Sequence, residues 1–464
     1  MVKPKMHREI LPALWWASMI QLIIAFAAAW IPEMGDLTMF KLWANQTYEN
    51  GIHQAFLETG FHYDWLPLHI YVNKAIGAGY DWSGLRYLFG PMHFALSTEN
   101  VRPDTLLGPD FRYDWLPLYL YVSKAIGAFY YWSGLRDLFG PWSRVLSMLL
   151  KSTMIGFHIV TAYWVYAICR IQNHSQRDAR FCCLLFVWQP GIIVATCLYG
   201  YQDAFHTVLL AGALLCLLTN RRLLTYALCA LIALTKPQAA IYLVPFACFG
   251  LRQYGLLWCV KGVLWGLGVM VLALSPFLFY GTFSSVFGMF MNVTNVHEWL
   301  TGCAHNFWWL VAPVPPFESD RLPLLFGFNG LEIGLFAFAV FTCGLGFRLF
   351  RDMSVPILLD VCALFGFGFF MVVTEIHENH HYAMFLFLAP LATTRLQMRW
   401  AYYILSGTFV INLITTNLWL ESDLVLQVGF LRIETLNAMV NAFVLFVWLY
   451  IFFKKRPAFN GQSL

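Results

Sequence analysis

Charged residues are scarce in this chain, and that scarcity restricts what the protein can be. Only 12% of its 464 residues are Asp, Glu, Lys or Arg, whereas 59% are hydrophobic and the mean hydropathy is +0.62. Soluble domains are about a quarter charged and about half apolar. The composition therefore excludes a soluble or peripheral protein and predicts an integral membrane protein that contacts membrane lipids, with no nucleic acid as partner.

Cysteine pairs and a cleavable leader are also missing. The 11 cysteines form no CxxC pair and no metal-ligand spacing, which favours small buried side chains over a redox or metal site. No small-residue cleavage site follows the first apolar stretch, residues 10–31, and this stretch is too long for the apolar part of a signal peptide. We therefore expect it to be a retained first span.

Long apolar stretches, by contrast, recur along the chain. A membrane-spanning helix needs about 20 apolar residues. The predicted fold class is an all-α polytopic membrane protein with about twelve transmembrane helices, and residues 1–464 are expected to form a single domain. Residues 223–235 and 239–251 are short and are separated by Lys236-Pro237-Gln238, which indicates helices that turn at membrane depth beside a cavity.

Basic clusters alternate with acidic or uncharged loops and predict the topology. They lie at Lys3 to Arg8, Arg170 to Arg180, Arg221-Arg222, Arg252, Arg348 with Arg351, Arg395 with Arg399, and Lys454 to Arg456. By the positive-inside rule these clusters and both termini are cytoplasmic. Two long segments, residues 32–143 and 280–323, then lie on the outer face, where their aromatic and Leu-rich composition predicts short surface helices.

The first long segment contains a tandem repeat, residues 59–97 and 109–147. Both copies carry Tyr-Asp-Trp-Leu-Pro-Leu, at an offset of 50 residues. The acid and the aromatic residue after it are Asp64 with Trp65 in one copy and Asp114 with Trp115 in the other. An acid beside an aromatic ring can bind a sugar, although Asp shortly before Pro is also typical of a turn into a helix.

Acidic and histidine residues gather at the span ends that this topology places on the outer face. They are Asp36, Asp64, Asp114, Asp203, His297 with Glu298, and the run from Glu375 to His381. Polar residues at one membrane face indicate chemistry on a lipid-borne substrate. Taken singly, Asp36 and Asp203 are explained equally well as helix caps or interfacial charges.

Lys236 is harder to explain as a structural residue. It lies about 20 Å along a helix from the cytoplasmic Arg221-Arg222. At that depth a cation needs an anion or a water-filled cavity. A phosphate group is a natural partner.

The run from His377 to His381 matches the zinc-protease pattern HExxH. Short patterns often match by chance. This one lies at a span boundary, and the sequence offers no well-placed third ligand. A cluster of donors and acceptors for a phosphate or a sugar is the favoured interpretation.

In this order, these features resemble the GT-C class of membrane glycosyltransferases, which use polyprenyl-phosphate-linked sugars, over most of the chain. The segments are Asp36, Tyr63 to Leu68 (like D-Y-P-P-L-Y), Tyr201-Gln202-Asp203 (like G-Q-x-D), Lys236-Pro237-Gln238 with Pro245, Cys303 to Trp309 (like N-x-W-W-L), and His377-Glu378 through Pro390 (like H-E-R-Y…P). The chain departs from the family at Leu66 and Leu116, which replace its second Pro, and at Asn379, which replaces an Arg. The duplication leaves open which copy lines the site.

The resemblance implies an inverting transfer of a sugar from a polyprenyl (dolichyl or undecaprenyl) phosphate donor to an acceptor hydroxyl at the non-cytoplasmic face. Asp36 is the implied general base, and Lys236, His377 and His381 are expected near the donor phosphate. Contacts to the sugar or the acceptor are assigned to Asp64, Trp65, Asp114, Trp115, Gln202, Asp203, Asn306 and Glu378. The acceptor is a lipid-linked glycan, a glycolipid or a protein, and the resemblance implies no metal or other cofactor.

Two other functions stay open on the sequence. A transporter or flippase of lipid-linked sugars would also use broken helices and a buried Lys, although no inverted repeat of spans is visible and the polar groups gather at one face. A glycan polymerase or ligase would share the large outer loop. The expected location is a bacterial inner membrane or the ER membrane, with the active site on the non-cytoplasmic face.

Overall fold

The computed structural model describes residues 10–28, 118–140, 143–279, 298–311, 318–422, 426–428 and 431–454, together with Leu37, Lys41, Ala44 and Asn45. The α-helices are α1 Leu11–Ala27, α2 Leu118–Trp132, α3 Leu135–Phe139, α4 Arg144–Ile171, α5 Gln176–Val187, α6 Pro190–Ile193, α7 Asp203–Leu218, α8 Arg222–Ala233, α9 Pro237–Ala240, α10 Leu243–Tyr254, α11 Leu256–Phe279, α12 Trp308–Val311, α13 Gly330–Arg351, α14 Val355–Val372, α15 Met384–Thr394, α16 Leu396–Ser422 and α17 Ile433–Lys454. A π-helical segment, Val194–Tyr199, follows α6, and a 3-10 turn, Glu378–His381, lies between α14 and α15. The strands are β1 Pro323–Leu325, β2 Phe328–Asn329, β3 Gln427–Val428 and β4 Leu431–Arg432.

The described part of the chain is mostly helical, as predicted. Five of its helices are long and apolar enough to cross a membrane: Arg144–Ile171, Leu256–Ser275, Gly330–Arg351, Val355–Val372 and Ile433–Lys454. The pair Gln176–Val187 and Pro190–Tyr199, bent by 43°, would be a sixth. These helices support the prediction of a membrane protein.

The predicted count of about twelve spans is not confirmed. Several predicted spans correspond to shorter apolar helices: α1 has 17 residues, α7 has 16 and α8 has 12. At a rise of about 1.5 Å per residue, α8 covers about 18 Å, less than the roughly 30 Å of a bilayer core. For α8 this agrees with the sequence, which marked residues 223–235 as a short stretch.

Two short hairpins interrupt the helices. β1 and β2 pair antiparallel at the end of the predicted outer segment 280–323, and α13 starts only after them, at Gly330. The carboxamide of Asn329 accepts the backbone N–H of Glu332, and the Glu332 carboxylate accepts the N–H of Asn329, both at 2.9 Å. This reciprocal capping box ends the hairpin and fixes the first turn of α13. β3 and β4 form the second antiparallel pair.

Contacts between Cα atoms divide the chain into two compact units. One comprises Met1–Met34, Lys151–Leu267 and His297–Leu464, and the other comprises Gly35–Leu150 and Gly268–Val296. The helix packing and the candidate site described below lie in the first unit. The expectation of one domain over residues 1–464 stays a prediction.

α15 lies in the interior of the first unit. Every residue from Met384 to Ala392 is buried, because the helix is apolar all round and has no face that requires water. α14 and α16 pack along it, and Phe385 stacks on Phe409 of α16 with ring centroids 5.8 Å apart. The connection from α14 to α15 is therefore held inside the unit, and most of its polar side chains are buried.

Polar side chains of α16 and α17 hold the loop before α12 in place. Asn412 accepts the backbone N–H of His305 at 3.0 Å and donates to the carbonyl of Cys303 at 2.8 Å. Asn441 donates to the carbonyl of His305 at 3.0 Å, and Asn437 lies 2.9 Å from its ring Nδ1. Because these amides satisfy buried backbone groups, they fix the loop beside the α14–α15 connection.

Close packing in α14 predicts an effect of adding a single methyl group. A Cβ at Gly366 would contact the hydroxyl of Tyr242 and lie 2.9 Å from its Cζ. We expect Gly366→Ala to lower the free energy of unfolding by about 1–3 kcal/mol, the usual cost of overpacking. Gly346→Ala, in α13 with no atom within 4 Å of the new Cβ, is the matched control. Thermal unfolding in detergent checks the pair, and equal melting temperatures would contradict the packing argument.

Candidate functional site

Three segments that are far apart in sequence meet in one buried polar cluster. They are the start of α7, the break between α8 and α9, and the 3-10 turn between α14 and α15. The break falls where the sequence predicted it, since α8 ends at Ala233 and α9 begins at Pro237. Lys236 occupies the break, and its carbonyl accepts the N–H groups of Ala239 and Ala240 at 3.0 and 3.2 Å. The backbone that positions Lys236 is thus fixed by the short helix after it.

An ion pair lies at the centre of the cluster. The Nζ of Lys236 is 3.6 Å from the Oδ1 of Asp203, and both side chains are 2% exposed. The other oxygen of Asp203 accepts a 2.9 Å hydrogen bond from the Nδ2 of Asn379, and the Nε2 of His206 lies 3.9 Å from Oδ1. A carboxylate and an ammonium removed from water require such pairing. Asp203 is therefore a partner of Lys236, in addition to being the first residue of α7.

Glu378 is the second carboxylate of the cluster, after Asp203. Its Oε1 accepts a 2.5 Å hydrogen bond from the hydroxyl of Tyr201. Burial raises the pKa of Glu378, while the Tyr201 bond and the nearby Lys236 act in the opposite direction. A carboxyl group with a raised pKa can hold or release a proton closer to neutral pH than an exposed Glu can.

His380 pairs with Gln238 of the broken segment. The Nδ1 of His380 accepts the backbone N–H of His377 at 3.3 Å, so a neutral ring carries its proton on Nε2. That Nε2 is 2.8 Å from the side-chain amide of Gln238, which accepts the proton when it presents its oxygen. Burial lowers the pKa of His380 well below its usual value, and the ring is accordingly a neutral donor.

These residues enclose a small cavity. Asp203, His206, Gln238, Asn379 and His380 provide its polar lining. Its volume is about 10 Å³, which is roughly the room that one water molecule requires. The cluster is therefore preorganised around an ion pair with hydrogen-bonding groups beside it, and the cavity that it lines has room for one water molecule or one hydroxyl group.

The loop before α12 lies against the same connection. Gly302 and Cys303 form bridges with His377, and the N–H of Gly302 donates to the carbonyl of Ile376 at 2.8 Å. A Cβ at Gly302 would lie 2.9 Å from the His377 ring, so the absence of a side chain there permits the contact. Two motifs that the sequence separates by about seventy residues are thus neighbours.

Asn306 has a local role in this loop. Its Oδ1 accepts the backbone N–H of Trp308 at 3.1 Å, and the indole N–H of Trp308 donates to the carbonyl of Val372 at 3.2 Å. The segment therefore docks on the end of α14. The assignment of Asn306 to the sugar or the acceptor stays a prediction.

His381 points into an aromatic environment. Its ring centroid is 3.5 Å from that of Phe370, 5.7 Å from that of Phe367 and 5.6 Å from that of Phe409. Among the described residues neither ring nitrogen has a hydrogen-bond partner, and burial lowers the pKa of His381 to about 3. The structure therefore places His381 among aromatic rings, and its assignment to the donor phosphate stays a prediction.

The HExxH-like run does not form the helix that a zinc site of that type uses. Residues 378–381 make a 3-10 turn that His377 precedes in extended conformation, so His377 and His381 do not share one face of an α-helix. In the described ranges no three His, Cys, Asp or Glu side chains are grouped as metal ligands.

Of the remaining predicted site residues, the structure describes Gln202, and the others lie outside the described ranges. Gln202 is fully buried beside Asp203, and neither atom of its carboxamide has a hydrogen-bond partner within the described part of the chain. Asp36, the predicted base, lies outside the described residues, as do Asp64, Trp65, Asp114 and Trp115.

Sequence reasoning missed five members of the cluster. Asn379 and His380 were treated as part of a motif and not as site residues, and Tyr201 and Gln238 only as neighbours of Gln202 and Lys236. His206 carried a usable signal, because it lies three residues after Asp203 in a helix and i,i+3 side chains are neighbours. The partners of Tyr201, Gln238 and Asn379 lie 142 to 177 positions away along the chain, so no local pattern could show them.

The chain was compared with protein-family models and with curated proteins. No family model and no curated protein matches it. Its function therefore has to be argued from the sequence motifs and from the geometry above.

The contact between Tyr201 and Glu378 gives a stability prediction. Tyr201→Phe removes the hydroxyl that donates to the buried carboxyl. We expect the free energy of unfolding to fall by about 1–3 kcal/mol, because a buried acceptor loses its partner. Tyr450→Phe is the control, since Tyr450 is 63% exposed. Thermal unfolding in detergent measures both, and an unchanged melting temperature for Tyr201→Phe would show that the bond contributes little.

Proposed function

We propose that the protein is a glycosyltransferase of the GT-C type, which moves a sugar from a polyprenyl-phosphate-linked donor to an acceptor hydroxyl at the non-cytoplasmic membrane face. The observation that carries the proposal is the convergence of family-like motifs. The Tyr-Gln-Asp, Lys-Pro-Gln and His-Glu segments each contribute a side chain to one cluster, and the contact between Asp203 and Asn379 joins residues 176 positions apart. If the motif matches were accidental, there would be no reason for their side chains to meet in one cluster.

The chemistry of the cluster fits a phosphate leaving group. In the proposed reaction the acceptor oxygen forms a bond to the anomeric carbon while the bond from that carbon to the phosphate oxygen breaks, with inversion. Asp36 takes the proton of the acceptor hydroxyl. The bonding pair leaves on polyprenyl phosphate, and Lys236 balances its growing negative charge. No residue needs to form a covalent intermediate in this scheme.

The neighbours of Lys236 fit such a role. Asp203 holds the ammonium in position at 3.6 Å, and Asn379 occupies the second oxygen of that carboxylate. A Lys carries three N–H donors, so the same ammonium can bind Asp203 and an incoming phosphate oxygen together. Preorganisation of this kind is what transition-state stabilisation requires.

The proposal includes a topology that can be measured. Both termini are expected on the cytoplasmic side, with residues 32–143 and 280–323 on the opposite face. Single cysteines introduced in residues 32–143 should react with a membrane-impermeant thiol reagent only from the non-cytoplasmic side. The native cysteines would first be replaced, and a cysteine introduced at Arg252 would serve as a cytoplasmic control. Labelling of the long segment from the cytoplasm would exclude the proposed site.

A direct assay separates the transferase from a carrier. Purified protein in detergent would be incubated with polyprenyl-phosphate mannose or glucose and a mixture of glycolipid acceptors. Free polyprenyl phosphate should appear only when an acceptor is present. A transporter or flippase would move the donor across a vesicle bilayer without releasing polyprenyl phosphate, and that result would replace the proposal.

A further inference from the structure

A second cavity lies at the other ends of the same helices. α14 ends beside the candidate site and begins at this cavity, and its 18 residues correspond to about 27 Å. The cavity has a volume of about 390 Å³, which lies within the range of small-molecule sites. Its wall is formed by the end of α13, the start of α14, the end of α15 with the Arg395 that follows it, and the loop after α4. It is thus separate from the Asp203–Lys236 cluster.

Two arginines line this cavity, and each is held by a carboxylate. Arg395 is 2.7 Å from Asp360, and the carboxylate is the more deeply buried of the two, 1% exposed against 18% for Arg395. The indole N–H of Trp448 also donates to Asp360, at 3.3 Å. Arg348 lies 3.4 Å from Asp352. Each carboxylate therefore orients a guanidinium, which has five N–H donors in a planar fork.

Further cations make the surroundings of the cavity positive. Arg170 donates to the carbonyl of His174, which lines the cavity. Arg399 donates to the carbonyls of Ala392 and Thr393, directly before the lining residue Thr394. These four arginines thus outnumber the two carboxylates among them, which favours an anionic ligand.

The remainder of the lining is amphipathic. Ser354, Thr394 and Gln172 supply hydroxyl and amide groups, whereas Ile357 and Leu391 supply apolar surface. A planar guanidinium matches phosphate oxygens, often in pairs. Basic pockets between membrane helices at the cytoplasmic boundary are suited to lipid headgroups, and the basic clusters at Arg348 and Arg395 are among those the positive-inside rule assigns to that boundary.

We propose that this cavity binds the phosphate group of an anionic phospholipid, with Arg348 and Arg395 as its ligands. The apolar wall contacts the glycerol and the first part of the acyl chains. Binding there would tie together the ends of α13, α14 and α15, and α14 and α15 are the helices whose opposite ends carry the candidate site.

Two variants and one control test the site. Arg348→Gln removes a guanidinium whose partner Asp352 is partly exposed, so no buried charge is left alone. Thr394→Trp fills the cavity without changing the charge. Arg351→Gln is the control, because Arg351 is exposed at the end of the same helix, stacks on Phe347 and does not line the cavity.

The full-length protein would be analysed by native mass spectrometry from mixed micelles containing phosphatidylglycerol or phosphatidylcholine. We expect the natural protein and Arg351→Gln to retain phosphatidylglycerol selectively. Arg348→Gln should weaken retention about tenfold, the effect of losing one charge-assisted contact. Thr394→Trp should weaken it at least as much, because the indole occupies the space of the headgroup. If Arg348→Gln does not fold, Thr394→Trp decides the question.

Competition with glycerol 3-phosphate and inorganic phosphate identifies the source of the phosphate. If either stabilises the protein in an Arg348-dependent manner while phosphatidylglycerol is not retained, the ligand is soluble and the lipid assignment is wrong. The site would be overturned if the natural protein and all three variants retained phosphatidylglycerol equally. It would also be overturned if Arg351→Gln and Arg348→Gln lost retention equally, because only diffuse surface charge would then be involved.

Discussion

Neutralising the buried pair, with Lys236→Met and Asp203→Asn combined, is expected to lower donor affinity at least tenfold while the protein still folds. Lys236→Met alone would not answer the question, because it removes the ammonium that is paired with the buried Asp203 carboxylate. Breaking a buried ion pair in that way costs about 3–5 kcal/mol. In the double variant residue 203 is a neutral amide that can still accept the hydrogen bond that Asn379 now donates. Loss of donor binding can then be assigned to the ammonium itself.

The measurement needs four proteins and two readouts. Thermal unfolding should rank the natural protein and the double variant above both single variants. Binding of a fluorescent polyprenyl-phosphate sugar should be lost in Lys236→Met and in the double variant, but kept by Asp203→Asn, which retains the ammonium. Donor affinity in the double variant equal to that of the natural protein would make Lys236 a structural partner of Asp203 and nothing more.

The interruption at Lys236-Pro237-Gln238 was predictable from the sequence because its cause is local. Pro lacks an N–H and restricts the residue before it, which disfavours a continuous helix at Lys236, although α15 does continue through Pro390. The helical, apolar character of the chain was predictable for a similar reason, since it depends on composition alone. The shortness of α8 was predictable as well, because the apolar run at 223–235 is itself short and ends before Lys236.

The depth of Lys236 in the membrane correctly predicted that its ammonium needs an anionic partner. A buried cation needs an anion, and phosphate was the anion inferred. The structure provides Asp203, which precedes Lys236 by 33 positions and approaches it only when α7 and the broken segment pack together. Sequence reasoning treated Asp203 as a possible helix cap, because a residue at the start of a helix is explained by its own helix first. Only the three-dimensional structure shows that Asp203 and Lys236 form an ion pair with each other.

In the run from His377 to His381, the sequence spacing suggested a shared helix face that the structure does not have. Its spacing matched a helical metal motif, and the family resemblance placed His377 and His381 on a phosphate. His377 and His381 are four positions apart, but they do not lie on one helix face, because the 3-10 turn places His381 among Phe370, Phe367 and Phe409. His380 faces Gln238. Spacing predicts a shared direction only when the secondary structure is known.

Replacing Asp36 by Asn is expected to abolish sugar transfer, with a loss of roughly a hundredfold or more for removal of a general base. Asp36 follows the predicted first span directly, at Pro32-Glu33-Met34-Gly35-Asp36, so a helix would set its position relative to the bilayer. A catalytic base needs that kind of support. Donor binding should survive, since Asn has nearly the shape of Asp and the proposed phosphate contact is Lys236. The assay is acceptor-dependent release of polyprenyl phosphate, with donor binding measured on the same preparation.

Glu33→Gln is the matched control for Asp36→Asn, because it removes a neighbouring carboxylate from the same short segment. It should leave turnover within a few-fold of the natural protein if position 36 alone carries the base. The competing candidates are Asp64 and Asp114, which the tandem repeat makes equivalent in sequence and able to substitute for each other. The informative comparison therefore includes Asp64→Asn, Asp114→Asn and the two combined. If Asp36→Asn turns over normally while the combined variant is inactive, the base belongs to the repeat, and Asp36 is an interfacial charge.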